Sequence, residues 1–380
     1  MKSKIIRVMH TCPMGPDGIT SMVLNICEHL DRKCINFDYL AYRDQVEFAD
    51  TRAERLGGMK YVAGNEEAKN KFMKFWFKFV RVYRVMKEAK PDIFHINAST
   101  PYDTLVAIAA KVAGVKKVVV HSHNANNSDK SKSKIIVNKL SKCLMGLYTD
   151  AYFTCSSEAA EYMFPRKISS KKNYIYVKNG IVVDKFRFDE TVRRQVRKEY
   201  GLESAFVIGN VGRLSKQKNH IFLLDVFYEV LQSEPSAILV LIGIGEERNR
   251  LENKARALGI NQQVLFLGAS ERVNVLLQMM DVFVMTSFHE GLPVVGIEAQ
   301  ATGLPCIFAD TITREVRITE NVEFISLEKT AVEWSDMIIN LSERNNDRNN
   351  GIECVCKAGF DIENISSEIA KTYIKMNISQ

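Results

Sequence analysis

The chain has 380 residues, of which 46% are hydrophobic and 26% are charged. This composition is typical of a globular protein, the length suits two domains, and no apolar run approaches the roughly 18–20 residues that span a bilayer. The net charge of +7 is uneven, because residues 1–190 hold 32 Lys and Arg against 20 Asp and Glu, whereas the remainder holds 20 against 25. The basic first half indicates an anionic partner for the first domain.

The eight cysteines give no sign of a metal or redox site. Only Cys354 and Cys356 are close in sequence, and their spacing fits neither a zinc knuckle nor a redox pair. We therefore expect a reducing compartment, no structural metal and a cytoplasmic protein. The start of the chain, broken by Arg7 and His10, is interpreted as a first strand and not as a signal peptide.

Strand-like and helix-like patterns alternate along the chain, which is typical of βαβ units and parallel sheets. The strand-like runs of the first half are at residues 5–11, 92–97, 117–123, 151–157 and 174–180. Those of the second half are at residues 205–212, 237–245, 264–268, 282–287 and 306–309. We therefore expect an α/β protein with two Rossmann-like domains facing across a cleft, and a ligand site in that cleft.

The domain boundaries are expected in the turn-rich stretch near residue 185 and again near residue 355. The first domain would cover residues 1–185 and the second residues 186–355. The terminal segment, residues 356–380, contains a helical pattern from about Ile362 to Tyr373.

Two places in the first half carry candidate ligand-binding residues. The loop TCPMGPDGITSM, residues 11–22, joins the first strand to the first helix, and Gly18 there lets backbone amides approach a phosphate or a sugar. His121 ends a predicted buried strand, and His123 follows on the same side. A lone histidine is more often a core residue than a catalyst, but two at the carboxyl end of one strand indicate a site.

The segment at residues 69–90 is rich in both aromatic residues and lysine. Its apolar residues follow helical spacing opposite Lys74, Lys78 and Arg81, and the ordinary interpretation is a helix that packs on its sheet. The alternative is an interfacial helix on an anionic membrane surface, because Trp76 and Phe77 widen the apolar arc. No recognised nucleic-acid module accompanies the basic residues, so we expect no nucleic-acid partner.

Three cations, Arg213, Lys216 and Lys218, follow the strand at residues 205–212 at its carboxyl end, where open α/β sheets bind ligands. Three neighbouring charges usually form only a solvated loop. Fixed cations here would instead stabilise the negative charge that develops on the outer phosphate of a departing nucleoside diphosphate.

The segment SFHEGLPVVGIEAQATGLP, residues 287–305, is the most informative part of the chain. Glu290 lies in its glycine-proline loop, and Glu298 lies about two turns further on, among small helical residues where a carboxylate needs partners. The amides of Gly291 and Leu292 are expected to point out of a helix N-terminus, where an anion is favoured. Glutamates are usually solvated, but carboxylates beside an anion site match a sugar nucleotide, which has both hydroxyls and phosphates.

This pattern, E-G-L-P-x-x-x-x-E-A-x-A-x-G-x-P, resembles the signature of the retaining glycosyltransferases of family 4. The segments at residues 177–186, 209–220 and 241–268 also resemble elements of that family. The resemblance implies the glycosyltransferase B fold, with a final helix that crosses back to the first domain.

The resemblance also implies roles for single residues of the second half. Arg213 and Lys218, but not Lys216, would act at the outer phosphate of the donor. Glu290 would lie near the hydroxyls of the donor sugar, and Glu298 would bind the ribose hydroxyls.

The first half of the chain resembles the family only in outline. A histidine at the end of the strand would approach the donor sugar, and we prefer His121, with His123 as the second choice. Gly18 matches a glycine of the family's first loop, whereas Asp17 stands where the family has an adjacent glycine.

The implied activity is transfer of a hexosyl group, with retention, from a nucleotide-sugar donor to a hydroxyl of a glycan or lipid-linked acceptor, with no bound metal or other cofactor. UDP is the expected leaving group, and GDP stays open. Bacterial members commonly build exopolysaccharide, capsule or lipopolysaccharide, so we expect a cytoplasmic enzyme that is peripheral at the inner face of the plasma membrane.

Two other functions are compatible with the fold that the resemblance implies. A sugar-nucleotide epimerase would need a further acid/base set, and we locate none in the sequence. A catalytically silent sugar-nucleotide-binding protein would have no use for the full set of Arg213, Lys218, Glu290 and Glu298.

Overall fold

The structure is a computed structural model that describes residues 5–15, 18–47, 49–64, 71–123, 132–344 and 347–378. The first of its two compact units combines Met1–Gly180 with Ile362–Gln380, and the second is Ile181–Asp361. The sequence analysis placed the boundaries at residues 185 and 355, a few residues from these points. Asp17, which departs from the family pattern, lies outside the described residues.

The first unit is built on a parallel sheet with the strand order β3-β2-β1-β4-β5-β6-β7. The described strands are β1 (Ile6–Thr11), β2 (Ile35–Ala41), β3 (Lys60–Val62), β4 (Ile93–Ala98), β5 (Lys117–Ser122), β6 (Ala151–Thr154) and β7 (Ile175–Tyr176). The central strands are buried along most of their length, as expected for a parallel sheet with helices on both faces. The sequence analysis had not identified β2 or β3.

Helices connect these strands. They are α1 (Gly18–Glu28), α2 (Asp50–Arg55), α3 (Lys71–Ala89), α4 (Val106–Val112), α5 (Lys132–Tyr148), α6 (Ser157–Met163) and α7 (Arg166–Ser169). The second half of α3 packs on the sheet through Val82, Val85 and Met86, which are buried. Trp76, in its first half, is 51% exposed and stacks on Phe79. Of the residues expected to line α3, the side chain of Lys74 lies outside what the structure describes.

The second unit contains a parallel sheet with the order β10-β9-β8-β11-β12-β13. Its strands are β8 (Phe206–Val211), β9 (Ala237–Ile242), β10 (Val264–Gly268), β11 (Val282–Met285), β12 (Cys306–Ala309) and β13 (Val322–Ile325). Its helices are α8 (Glu190–Glu199), α9 (His220–Ser233), α10 (Arg248–Ala257), α11 (Val273–Leu276), α12 (Val294–Ala301), α13 (Ala331–Glu343) and α14 (Gly351–Lys357). Strand β13 had not been identified from the sequence.

Strands β8 and β11 are adjacent although about 70 residues separate them in the chain, and Asp281 fixes their amino ends. Its Oδ2 accepts a hydrogen bond from the backbone N–H of Val207 at 2.7 Å and another from Nη1 of the buried Arg197 at 3.1 Å. Arg193 also pairs with its Oδ1. A carboxylate that is bonded to both an amide and two guanidinium groups holds the strand starts in register, so the strand ends that carry the site are also held side by side.

The final helix, α15 (Ile362–Ile378), belongs to the first unit. It buries Ile365, Ile369 and Tyr373, and the Tyr373 hydroxyl lies 2.7 Å from Nδ1 of His95. No helix within the described ranges has the length and the apolar character needed to cross a bilayer.

Tyr373 closes a buried cluster of histidines at the middle of the first sheet. The rings of His10 and His95 stack at 4.5 Å between centroids, and those of His95 and His121 meet edge to face at 5.4 Å. All three are at most 2% exposed, and each has a buried Nε2 with no hydrogen-bond partner in the part of the chain that is described. Burial is the main cause that lowers the pKa of all three well below 6.5, so the rings are neutral near pH 7.

This cluster predicts acid sensitivity of the fold. The unfolded chain binds protons at these histidines below about pH 6.5, whereas the folded chain does not, so stability is present above that pH and is lost as the pH falls from 6.5 towards the lower pKa of the folded state. For three groups the loss is at most about 4 kcal/mol per pH unit. Urea unfolding, followed between pH 7 and 5.5, should show a falling midpoint.

Substitutions within and outside the cluster make this test specific. His10→Phe keeps an aromatic ring but removes one titrating group, so it should lower the pH slope by at most about 1.4 kcal/mol per pH unit. Val332→Ser, at an exposed position that carries no titrating group, should keep the whole slope. An unchanged slope in His10→Phe would contradict the assignment.

Candidate functional site

The strand order of the second sheet locates a natural ligand site. From β8 the chain proceeds outward through β9 and β10, then returns to the other side of β8 with β11 and continues through β12 and β13. In open α/β sheets ligands bind at such a reversal, outside the carboxyl ends of the strands. The two segments singled out from the sequence, residues 212–219 and 286–293, directly follow β8 and β11. The fold thus brings them to the same place.

The two loops meet in an ion pair between Lys218 and Glu290. Lys218 Nζ lies 2.8 Å from Glu290 Oε1, and the side chains are 16% and 12% exposed. Apart from this ion pair, the buried carboxylate oxygen has no hydrogen-bond partner within the described residues. It therefore keeps the capacity to accept a hydrogen bond from a ligand.

Backbone contacts hold these loops together around the ion pair. The N–H of Phe288 donates to the carbonyl of Gln217, and the Gln217 side chain donates to the carbonyl of His289, both at 2.9 Å. Thr286 Oγ1 donates to the carbonyl of Asn219 at 3.1 Å. Asn219 itself has φ +54, a left-handed conformation that asparagine tolerates, and it ends the short turn that presents Lys218. The position of Lys218 is therefore fixed by the backbone of both loops.

A buried histidine, His220, is linked by hydrogen bonds to the strands from which the same two loops begin. His220 begins α9, and its Nε2 lies 2.9 Å from Asn210 Oδ1. Asn210 in turn donates from Nδ2 to the carbonyl of Val284 at 2.7 Å, which links β8 to β11. Burial, followed by the charge of Lys218, lowers the pKa of His220 to about 4, so it stays neutral beside the lysine. His220 is a positioning residue that the sequence analysis did not identify.

Arg213 lies in the same loop but is much more exposed than Lys218. Its guanidinium is exposed and pairs with Glu246 at 3.0 Å, another exposed side chain that follows β9. Surface ion pairs of this kind are weak, so the guanidinium can exchange Glu246 for an anionic ligand. Glu246 is a neighbour that the sequence did not indicate.

Two glycines after β9 allow the basic loop to approach the sheet. A Cβ at Gly243 would collide with the carbonyl of Gly212, and a Cβ at Gly245 would collide with the backbone of Leu214. Gly243 also has φ +144, which L side chains rarely adopt. Both glycines therefore let the loop that carries Arg213 lie directly against the segment after β9.

Glu298 lies in α12, which begins at Val294 directly after Pro293; Gly303 follows the helix end with φ +69. The Glu298 side chain is largely buried, and desolvation raises its pKa to about 7. No residue that the structure describes donates a hydrogen bond to its carboxylate. A buried carboxylate without a partner is costly, so ligand hydroxyls would be favourable partners.

The predicted anion-binding amides lie in the loop before α12. Gly291 is exposed, and the space where its Cβ would stand is open. The Gly291 and Leu292 amides remain predicted ligand contacts. Within the described ranges, no group of three or more His, Cys, Asp or Glu side chains is arranged to hold a metal ion.

The first unit places the two candidate histidines in different environments. His121 is 1% exposed and lies inside the buried cluster, against His95 and Phe153. His123 is half-buried, and its Nε2 lies 3.0 Å from Asn97 Oδ1. Gly18 begins α1 at an exposed position with open space around it. The histidine with access to a ligand is thus His123, the second choice from the sequence.

The neighbours of Asn97 fix the tautomer of His123. Asn97 Nδ2 donates to the carbonyl of Thr11 at 2.9 Å and faces Nδ1 of His10, so its Oδ1 is the acceptor. His123 Nε2 is then the donor, and its Nδ1 is the free acceptor of a neutral ring. Burial lowers the pKa of His123 to about 4, so the ring stays neutral near pH 7. A neutral imidazole with an unprotonated Nδ1 can accept a hydrogen bond from a hydroxyl.

Family models and known relatives match nearly the whole chain. The model of Glycosyltransferase Family 4 matches residues 16–185, and that of Glycosyl transferases group 1 matches residues 192–354. Putative glycosyltransferase EpsF of Bacillus subtilis is 30% identical over 98% of this chain and 97% of its own length. An Escherichia coli relative, UDP-Gal:alpha-D-GlcNAc-diphosphoundecaprenol alpha-1,3-galactosyltransferase, is 29% identical over 79% of this chain and 80% of its own length.

A solved structure resembles the whole chain. Anabaena HepE in complex with UDP has a TM-score of 0.78 and 19% identity, and the similarity covers 98% of this chain and 100% of that one. HepE has also been solved in complex with UDP-glucose. The two parallel α/β units match the glycosyltransferase B fold. The chain therefore belongs to the group 1 glycosyltransferases, with a first unit of the family 4 type.

Proposed function

We propose that this glycosyltransferase moves a hexosyl group, with retention, from a UDP-sugar to a hydroxyl of a lipid-linked glycan in bacterial polysaccharide biosynthesis. The observation that carries the proposal is the Lys218–Glu290 pair at the reversal of the second sheet, together with the largely buried carboxylate of Glu298 on α12, the helix that follows the Glu290 loop. The complexes of HepE with UDP and UDP-glucose support a UDP donor. The name of the Escherichia coli relative supports a lipid-linked acceptor.

The second unit supplies charges that suit departure of a nucleoside diphosphate. When the bond between the sugar C1 and the outer phosphate oxygen breaks, the electron pair stays on the phosphate. The acceptor oxygen bonds to C1, and its proton leaves to the phosphate. Lys218, fixed by both loops, and Arg213, released from Glu246, would stabilise the charge on the leaving phosphate. The reaction so written needs no metal ion or other cofactor.

The two glutamates suit the hydroxyls of the same donor. Glu290 has an oxygen with unused hydrogen-bonding capacity next to the lysine, so it can accept from a sugar hydroxyl while the lysine contacts a phosphate. Glu298 lies deeper, on α12, where ribose hydroxyls would give its carboxylate the partners it lacks. In the first unit we propose that His123 accepts a hydrogen bond at Nδ1 from a sugar hydroxyl.

Lys218→Ala should lower turnover by roughly 10²-fold, because it removes a fixed charge at the leaving phosphate. Lys216→Ala is the matched control, since Lys216 lies in the same turn but is exposed, and it should stay near wild type. Release of UDP from a UDP-sugar with a membrane extract as acceptor measures both. Lys218→Ala leaves Glu290 buried without its cation, so the double variant Lys218→Ala/Glu290→Gln tests whether a folded protein still lacks turnover. Near-normal turnover in both folded variants would remove Lys218 from the site.

Glu298 predicts that donor affinity depends on pH. Ribose hydroxyls donate to the ionised carboxylate, so binding favours the charged form, and affinity should rise as the pH increases through about 7. UDP-glucose is the suitable probe, because its phosphates are diesters that do not titrate in this range. Calorimetry from pH 6 to 8.5 should show the rise in wild type and weaker, pH-independent binding in Glu298→Gln. The same pH dependence in both proteins would exclude Glu298 from the ribose site.

Alanine at His123 should lower turnover, whereas alanine at His121 should lower stability. His123→Ala should lower turnover by roughly 10²-fold with a nearly unchanged melting temperature, because its ring is half-buried and contacts the ligand. His121→Ala should instead destabilise the first unit by about 2 kcal/mol or more, because it opens a cavity beside His95 and Phe153. Turnover measured well below the melting temperature separates the two effects. If His121→Ala is stable but inactive, the sequence-based choice of His121 is the better one.

A further inference from the structure

Helix α5 has a buried inner face and an exposed apolar face on the opposite side. The inner face buries Ser141 and Met145 against the first unit. On the opposite side lies an outer stripe, defined here as Ile136, Leu140, Cys143 and Leu147. Ile136, Leu140 and Leu147 are 68%, 60% and 75% exposed, and Cys143 is also exposed. The intervals of four, three and four residues place them on one face, over about 16 Å of helix.

No residue that the structure describes covers this stripe. Single apolar side chains are common on protein surfaces, but a contiguous row at helical spacing marks an interaction site. Ile135, on the edge of the stripe, is exposed as well. On α3, the helix for which the sequence raised a membrane contact, Met73 and Trp76 are the exposed large apolar residues within the described part, and Val82, Val85 and Met86 are buried. Among the described side chains of these two helices, α5 therefore exposes more large apolar residues than α3 does.

The surroundings of the stripe are basic. Helix α5 has no Asp or Glu between Lys132 and Tyr148, and residues 132–172 hold eight Lys and Arg against three Asp and Glu. A groove of about 560 Å³ runs beside the stripe. It is lined in part by Lys139, Lys142, Cys143, Glu161, Phe164 and Arg166. The groove therefore combines three cations and one carboxylate with an apolar floor, and it shares Cys143 with the stripe.

We propose that the outer stripe of α5 inserts into an anionic lipid surface, with Lys139, Lys142 and Arg166 against the headgroup phosphates. Apolar side chains flanked by cations are the arrangement that interfacial helices use, with the apolar row at the acyl boundary and the cations at the phosphates. The membrane contact itself does not depend on the proposed function. Only its biological role does, since membrane binding would bring the enzyme to a lipid-linked acceptor.

A second copy of this chain fits the stripe less well. In a two-fold contact each face meets its own copy, so the cations around one stripe would meet the same cations of the other. Helix α5 itself offers no carboxylate that could pair with them.

The topology relates this surface to the acceptor side of the enzyme. Helix α5 connects the parallel strands β5 and β6, so it runs back against the strand direction and begins near the carboxyl edge of the sheet. His123 follows β5 at that edge. The stripe thus starts on the side of the first unit where the acceptor would have to reach the donor sugar that His123 is proposed to contact.

The test is sedimentation of the full-length protein with phosphatidylcholine vesicles that contain phosphatidylglycerol. Wild type should bind at low salt and release as salt rises, because the headgroup contacts are screened. Leu140→Ser/Leu147→Ser should bind roughly tenfold more weakly, because it removes the inserted side chains. Val332→Ser is the matched control, since Val332 is an exposed apolar residue on α13 of the second unit, and it should bind as wild type does.

Two further variants identify the surface. Lys139→Glu/Arg166→Glu should weaken binding to the anionic vesicles, and wild type should bind vesicles of phosphatidylcholine alone poorly. Trp76→Ser, on α3, should bind as wild type does. If Trp76→Ser alone lost binding, the membrane contact would belong to α3 and the proposal would be overturned.

Other results would also overturn it. Wild type that ignores anionic vesicles at low salt, or Leu140→Ser/Leu147→Ser that still binds fully, would exclude insertion of the stripe. A concentration-dependent dimer that this double variant abolishes, without any vesicle binding, would assign the stripe to contact between copies. Calorimetry with UDP-glucose is independent of the vesicles and should be unchanged in the double variant. Loss of sugar transfer with intact vesicle binding would therefore count against the proposed function and not against the membrane surface.

Discussion

The ion pair between Lys218 and Glu290 is the interaction on which the site of the second unit depends. Its members follow strands that are distant in sequence, and each side chain is less than a fifth exposed. Removing either partner would leave the other charge uncompensated in a largely buried position, which is costly. Each group therefore holds the other in place until a ligand arrives. A donor with both phosphates and hydroxyls could offer a phosphate to the lysine and a hydroxyl to the glutamate. A simple anion could satisfy only the lysine.

The sheets were predictable where their strands are uniformly apolar. Runs such as VFVMTS and CIFA indicate buried parallel strands by themselves. Strand β2 was missed because its sequence, INFDYLA, has an aspartate at the centre. Asp38 is nevertheless buried, since Arg7 on β1 reaches it at 2.6 Å and the Met59 amide also donates to it. A strand that buries a charge by pairing it with a distant residue cannot be identified from local patterns.

The sequence predicted those residues of the candidate site that belong to short motifs. Lys218, Glu290 and Glu298 follow from such motifs, and the fold brings the loops of the first two together. The pairing of Arg213 with Glu246 and the support of the loop by His220 and Asn210 depend on neighbours in other strands, so the sequence did not indicate them. The preference for His121 over His123 stays a prediction, but its burial could be known only once β4, β6 and α15 surround it.

The composition of the first unit gives its net charge but does not show where the charges lie. The excess of Lys and Arg before residue 190 indicated an anionic partner for the first domain, yet the strand ends of this unit carry histidines that burial keeps neutral. The cations around α5 to α7 instead lie at the surface. Neutral imidazoles suit hydroxyl groups, which they can contact without a large desolvation cost, whereas exposed cations suit phosphates that remain hydrated. The described part of the first unit therefore has neutral imidazoles at its strand ends and cations at its surface, so a hydroxyl group and an anionic partner would meet it at different places.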